Sequence, residues 1–279
     1  MNLRKVMYVV IVIVCIWSIA IGVYDQVNSK VNKRADSQKV IPNEPTKNTE
    51  ETKQNQEELR KEFDKIFTNE ISIGQYDTGK VEKNNKEEEI VYTYSAQRKT
   101  DNYELNINFP IININNEVAK KIDTESKGIF IDKANNIIKE ATEQTVYTIS
   151  YTGYINQDIL SIIIKSTLKE GSNAQRVMIQ TYNINLSTGS EATFNDLADI
   201  RQIDKDSIST EINSTITQAI KEANIIQETG YEIYNRNLNN NMYNVNNLDT
   251  FFLDKNGALC IIFAYGNYDF TSELDVVKI

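Results

Sequence analysis

The chain has no histidine, and only two cysteines, three prolines and one tryptophan in 279 residues. Without histidine there is no Ser–His or Cys–His nucleophile pair, no His-ligated zinc and no imidazole general base. The cysteines do not replace it. Cys15 lies in an apolar run and Cys260 in the strand-like segment ALCIIF, on different sides of the expected membrane boundary. An intrachain disulfide is therefore not expected, and Cys260 reads as a small buried hydrophobe. Glycine is scarce too, with ten residues; neither a phosphate-cradling glycine loop nor a G-x-S-x-G elbow occurs. Basic charge also falls short: 30 Lys and Arg stand against 39 Asp and Glu, a net charge of −9. That balance excludes the basic stripe that nucleic acid needs and a broad basic footprint on anionic lipid. It is compatible with a cationic partner.

The clearest positive feature is the uncharged run Val6 to Tyr24, VMYVVIVIVCIWSIAIGVY, which follows a short stub carrying Arg4 and Lys5. About 20 apolar residues suffice to cross a bilayer core as one helix. Residues 1–5 are thus expected to be a cytoplasmic stub and 6–24 an uncleaved signal anchor. Lys30, Lys33, Arg34 and Lys39 lie beyond the run, so a count of basic residues alone would keep the large domain inside. A signal-like segment this close to the N-terminus usually sets the orientation, which puts the large domain outside the cytoplasm. Residues 25–57 hold Pro42 and Pro45 among Asn, Gln, Lys and Glu. Such a stretch cannot bury enough surface to offset its ordering entropy, and it reads as a disordered tether.

Past the tether the periodicity changes repeatedly. Leu59, Phe63, Ile66 and Phe67 recur at helical spacing over 58–67, and Lys80 to Glu89 reads as a charged loop. Ile90 to Ala96 and Tyr103 to Ile111 alternate as strands joined by a hairpin turn at Thr100-Asp101-Asn102. Asn116 to Thr142 reads as an amphipathic helix broken near Gly128. Strands follow over 146–154, 158–168 and 176–186. A second helix over 204–223 carries Ile208, Ile212, Ile216, Ala219, Ile220 and Ala223 on one stripe, with Asp204 or Asp206 as cap. The end reads as strands at 250–253, 258–264 and 273–279, the first two joined by a turn through Asn256-Gly257. The order β-β-α-β-β-β-α-β-β-β predicts α+β, with antiparallel sheets and single helices packed on them. Two α+β subdomains are expected, 58–144 and 145–279.

No residue stands out for catalysis, and no cofactor or metal ligand set is evident. The acidic group Asp196, Asp199, Asp204 and Asp206 lacks the spacing of a calcium loop and reads as helix capping. Asp158, Glu170 and Asp269 sit near expected strand ends, but nothing ranks them above other acids as a glycosidase-like pair. The tyrosines of the last fifty residues are more informative. Tyr231, Tyr234, Tyr243, Tyr265 and Tyr268, with Asp269, lie among many asparagines. Tyr and Asn together make a recognition surface of rigid area and adaptable hydrogen bonds; filling a sheet core is the competing use. The segment 227–247 is long, polar and aromatic, as disordered or binding loops are.

Three segments carry a resemblance. Tyr103 to Ile111 (YELNINFPI) leads into an Asn-containing helix. Gln180 to Leu197 (QTYNINLSTGSEATFNDL) passes from a strand through a Thr-Gly turn to Asp-Leu. The tail 246–279 contains FFLDKNGALCIIFAYGNYDFTSELDVVKI. Together, over roughly 90–279, they resemble the RsiV/PdaC-like extracytoplasmic sensor domain pair of Gram-positive bacteria. One branch of that family forms the lysozyme-binding part of membrane anti-sigma factors, and another precedes a peptidoglycan deacetylase domain. The stub 1–5 is too short for an anti-sigma region, and a chain without His lacks the deacetylase's metal ligands. The family's Gly-Gly-Ala-His-type turn is replaced by Glu170-Gly171-Ser172-Asn173-Ala174. What the resemblance implies is therefore a fold and an address. The expectation is a non-catalytic binding or sensor-like module on the membrane's outer side. Its partner would be an envelope protein, a peptidoglycan-related ligand or a cationic protein such as a lysozyme-like hydrolase. A structural or assembly component of the envelope, as in sporulation, stands second, and a carboxylate-dependent wall hydrolase third.

Overall fold

The computed structural model describes residues 55–230, 233–266 and 271–279, and the side chains of 271 and 272 are not described. The expected anchor, 6–24, lies outside these residues. Among the described residues no helix is long and apolar enough to cross a membrane. The described residues all fall in one unit.

Helix α1 (Gln56–Asp64) is capped by Asn55, whose side chain accepts from Glu58 N. It leads to the short strand β1 (Ile71–Ser72). The expected hairpin follows, β2 (Val91–Lys99) and β3 (Tyr103–Ile112), with Val91 opposite Ile112. Helices α2 (Glu117–Ser126) and α3 (Asp132–Glu140) are separated by a π-helical turn, Lys127–Ile131, which contains Gly128. The helix therefore widens near Gly128, where a break is expected, and does not end there. The turn buries Phe130, whose carbonyl accepts a hydrogen bond from the Tyr147 hydroxyl at 3.2 Å. Strands β4 (Thr145–Asn156), β5 (Ile159–Glu170) and β6 (Arg176–Asn185) form a meander. Next come α4 (Phe194–Arg201) and α5 (Lys205–Gln227), then β7 (Phe251–Leu253), β8 (Leu259–Gly266) and β9 (Thr271–Lys278). Thr193 and Asp196 form a capping box on α4, and Asp204 caps α5. Two of the four clustered acids therefore serve helix starts.

The class is α+β with a sheet rich in antiparallel pairs. The expected separate sheets are instead one nine-stranded sheet, ordered β2-β3-β4-β5-β6-β9-β8-β7, with β1 on β4. Nor is it wholly antiparallel, since β3 pairs with β4 and β1 with β4 in parallel. The reason is geometric. Helices α2 and α3 return the chain along the length of β3, so β4 starts at the end where β3 started. The sheet therefore crosses the expected boundary at 144/145 without a break.

Three cores hold it together. Helices α2 and α3 cover β2–β5 through Phe109, Ile122, Phe130 and Ile162. Helices α4 and α5 cover β7–β9 through Leu197, Ile208, Ile212, Leu253 and Phe263. Between the halves, Tyr154, Ile163 and Ile179 of β4–β6 meet Phe252, Cys260, Ile262 and Val276 of β7–β9, with Leu59 and Phe63 of α1. Strand β5 is thus buried on both faces, which explains its near-continuous run LSIII.

The C-terminal strands have their open sides closed by side chains. On β7, Phe251 N donates to the Thr181 hydroxyl, its carbonyl accepts from Asn183 Nδ2, and Leu253 N donates to Ser161 Oγ. On β9, α1 stands in for a strand. Gln56 Nε2 donates to Val276 O at 2.8 Å and its Oε1 accepts from Val276 N at 2.9 Å. One turn on, Arg60 Nε donates to Leu274 O at 2.6 Å.

Candidate functional site

The segment after α5 was expected to be a loose or ligand-binding loop. From 233 on it is packed against α5 and the sheet through two 3-10 turns, Asn241–Tyr243 and Val245–Asn247. Its anchor is Arg236, the single basic residue between Lys221 and Lys255. The Arg236 guanidinium is buried beside Asp275 of β9, which is fully buried. Nε lies 2.5 Å from one carboxylate oxygen and Nη2 3.0 Å from the other. Arg60 Nη2 reaches the same carboxylate at 2.5 Å from the α1 side. Arg236 also donates to Tyr234 O at 3.0 Å and lies 3.3 Å from Glu273.

Three of the expected tyrosines converge here. The Tyr265 hydroxyl donates to Asp275 at 2.7 Å and lies 2.8 Å from the Tyr243 hydroxyl. Tyr234 stacks on Tyr265 with ring centroids 4.5 Å apart, and Arg236 lies over the Tyr265 ring. Tyr243 and Tyr265 are buried, whereas Tyr234 is 41% exposed. Only Tyr234 of the three is therefore open to solvent. Tyr231, Tyr268 and Asp269 lie outside the described residues. Sequence reasoning missed Arg236, Asp275, Arg60 and Gln56. Two signals were available: a lone cation in an asparagine-rich segment, and a charge in the apolar strand Leu274-Asp275-Val276-Val277.

Burial alone would raise the Asp275 carboxyl. The Arg236 guanidinium, with Tyr265 and Arg60, outweighs it and holds the group below the usual carboxylate range. Burial and then the Asp275 charge push the Tyr265 phenol far up, and burial raises Tyr243. At neutral pH the cluster is a compensated ion pair roofed by protonated phenols. Neither Asp275 nor the two buried phenols is poised to take or give a proton near pH 7.

Its pH signature follows. A depressed carboxylate gives stability that is complete above its unfolded pKa of about 3.9 and is lost as pH falls through the folded value. A raised phenol gives stability that is complete below its unfolded pKa of about 10 and is lost as pH rises above it. Urea midpoints measured against pH should stay flat from about pH 5 to 9 and fall on both sides. Asp275→Asn should reduce the acid fall. An acid limb identical in the variant would contradict the assigned charge state.

A cleft of about 720 Å³ opens between α1, β1 and the turn after β7. Leu59, Phe63, Tyr154, Phe252 and Cys260 are among its apolar lining residues, and Glu62, Lys65, Glu70 and Lys255 among its charged ones. Lys278 bridges Asp254 at 2.9 Å in its wall, and that carboxylate raises the lysine's pKa. Burial, then the nearby Asp254 charge, pushes the Cys260 thiol up to about 12. It is therefore a protonated wall residue rather than a nucleophile. Among the described residues no group of three or more Cys, Asp or Glu is arranged to hold a metal ion.

No protein-family model matches the chain, and no curated protein matches it in sequence. Solved structures that resemble it belong to the DUF3298 family. A member from Bacteroides fragilis is 14% identical, over 72% of this chain and 92% of its own, with a TM-score of 0.39. A second, from Pseudomonas aeruginosa, is 8% identical, over 68% of this chain and 89% of its own, with a TM-score of 0.40.

Proposed function

We propose that this chain is a non-catalytic binding module of the bacterial cell envelope, held on the outer face of the membrane by 6–24. Its partner is an envelope component or a cationic protein such as a lysozyme-like hydrolase, and the resemblance to RsiV/PdaC-like domains supports that choice. The observation that carries the reading is the use of Asp275, Arg236, Tyr265, Tyr243 and Cys260. The fold engages the first four with one another and desolvates Cys260 in a separate core. The first four hold the segment 233–250 in place and leave Tyr234 and the asparagines at the surface for recognition. The net charge of −9 favours a basic partner.

The test is retention of lysozyme and of peptidoglycan by the immobilised chain. Binding to lysozyme that weakens as ionic strength rises supports the reading. Failure to retain either ligand sinks it. Turnover of peptidoglycan, lost on replacing one carboxylate, would put a hydrolase in its place. The address is tested separately with Ser37→Cys. Labelling by an impermeant thiol reagent in intact cells supports an outer domain, and labelling only after lysis refutes it.

A further inference from the structure

The fold closes its sheet edges unevenly. Strand β7 is three residues long and roofed by Ser161, Thr181 and Asn183; β9 is covered by Gln56 and Arg60. The nine-residue strand β2 lies at the far end of the sheet with β3 on one side. Of the usual edge protection it carries only charge, Arg98 and Lys99 at its end. It has no proline, and its register with β3 runs unshifted from Val91↔Ile112 to Lys99↔Glu104.

The open groups can be assigned. Ile90 O accepts from Asn113 N, and Thr100 N donates to Tyr103 O. Both bonds flank the ladder at even-numbered positions of β2. In an antiparallel pair inward and outward groups alternate, so Thr93, Ser95, Gln97 and Lys99 turn their N–H and C=O away from β3. Among the described residues none of these groups has a backbone partner. Thr93 to Lys99 is exposed throughout, apart from half-buried Ala96.

We propose that the β2 edge pairs antiparallel with β2 of a second copy of this chain, about a two-fold axis at Ala96. What selects a second copy is self-complementarity. With the axis at Ala96, the open stretch 93–99 lies fully against itself, giving about eight backbone hydrogen bonds. Tyr94, 51% exposed, comes opposite Arg98 of the other copy, a cation–π pairing. Arg98 already sits over the Tyr103 ring on that face of its own chain, 5.6 Å from the centroid. Ser95 comes opposite Gln97, and Lys99 opposite Thr93, so no like charges face each other. Ala96, the smallest side chain of the strand, meets itself at the closest approach. The pairing is independent of what the module binds.

The test uses the full chain in detergent with Cys15→Ala, Cys260 being buried. Residues facing each other at a non-hydrogen-bonded position have Cα atoms about 4.5 Å apart, within disulfide reach. Ala96→Cys should therefore oxidise to a covalent dimer about tenfold more completely than Thr93→Cys, which faces Lys99 and not itself. Tyr94→Arg sets two pairs of like charges across the axis at an exposed position, and should return a sedimenting dimer to monomer with unchanged circular dichroism. A chain that sediments as monomer and leaves Ala96→Cys unlinked overturns the proposal. So does equal linking of Ala96→Cys and Thr93→Cys, which would mark random collision. A dimer indifferent to Tyr94→Arg would lie elsewhere on the surface and overturn it as well.

Discussion

Replacing Asp275 with Asn should cost about 3–5 kcal/mol, the usual result of leaving one partner of a buried ion pair uncompensated. The side chain keeps its size and much of its hydrogen bonding, so the loss reports charge. Arg236 would remain 2% exposed, with Glu273 at 3.3 Å as a poorer and part-exposed partner. Arg60 would suffer less, because its side chain is 34% exposed and can turn to water. The measurement is a urea midpoint that falls at constant m, which separates a stability change from a change in the unfolded state. Asp275→Asn combined with Arg236→Met should recover part of the loss, because it removes the stranded charge as well. A single-variant cost under about 1 kcal/mol, typical of surface pairs, would mean that water reaches the site.

Gln56→Ala should be the second large effect. The amide of this residue, 0% exposed, satisfies both the N–H and the C=O of Val276. Alanine would leave one donor and one acceptor buried and unpaired, each costing about 1–3 kcal/mol. The effect should also be local before it is global. Hydrogen exchange of the Val276 amide should accelerate in Gln56→Ala, while exchange in the β4–β5 ladder slows or speeds only with overall stability. Arg60→Ala frees only Leu274 O and one of the contacts to Asp275, at a partly wet position, and should cost less. An unchanged Val276 exchange rate would refute the role of α1 as a stand-in strand.

Much of the fold is legible in the sequence because local periodicity is enough to show it. Strand alternation in YELNINF, the isoleucine stripe of α5 and the Asn-Gly turn before β8 each report a face that must be buried. Gly128 marked the place of an irregularity in an otherwise regular helical pattern, though not its π-helical form. Helix α4 was missed, although Thr193-x-x-Asp196 carries its start signal, because eight residues give too short a period to register. Of the tyrosines, Tyr243 and Tyr265 fill the core and Tyr234 is exposed, so both uses open to them in the sequence occur. Alternation puts Tyr265 on one face of β8, and cannot say whether that face looks to solvent or to a covering segment.

The sequence by itself determined the class of the fold, the order of its longer elements, the acidity of the chain and the absence of histidine chemistry. These depend on composition and on neighbours a few residues apart. The tertiary structure decided the rest. It chose a single mixed sheet, a parallel β3–β4 pair and a buried Asp275 held by Arg60 and Arg236, which lie 215 and 39 residues away. It closed the β7 and β9 edges with side chains and, among the described residues, left β2 open. Each of these depends on which distant surfaces meet. No local pattern encodes that, because the energy of a buried charge or an unpaired backbone group is set by the partner that arrives from elsewhere in the chain.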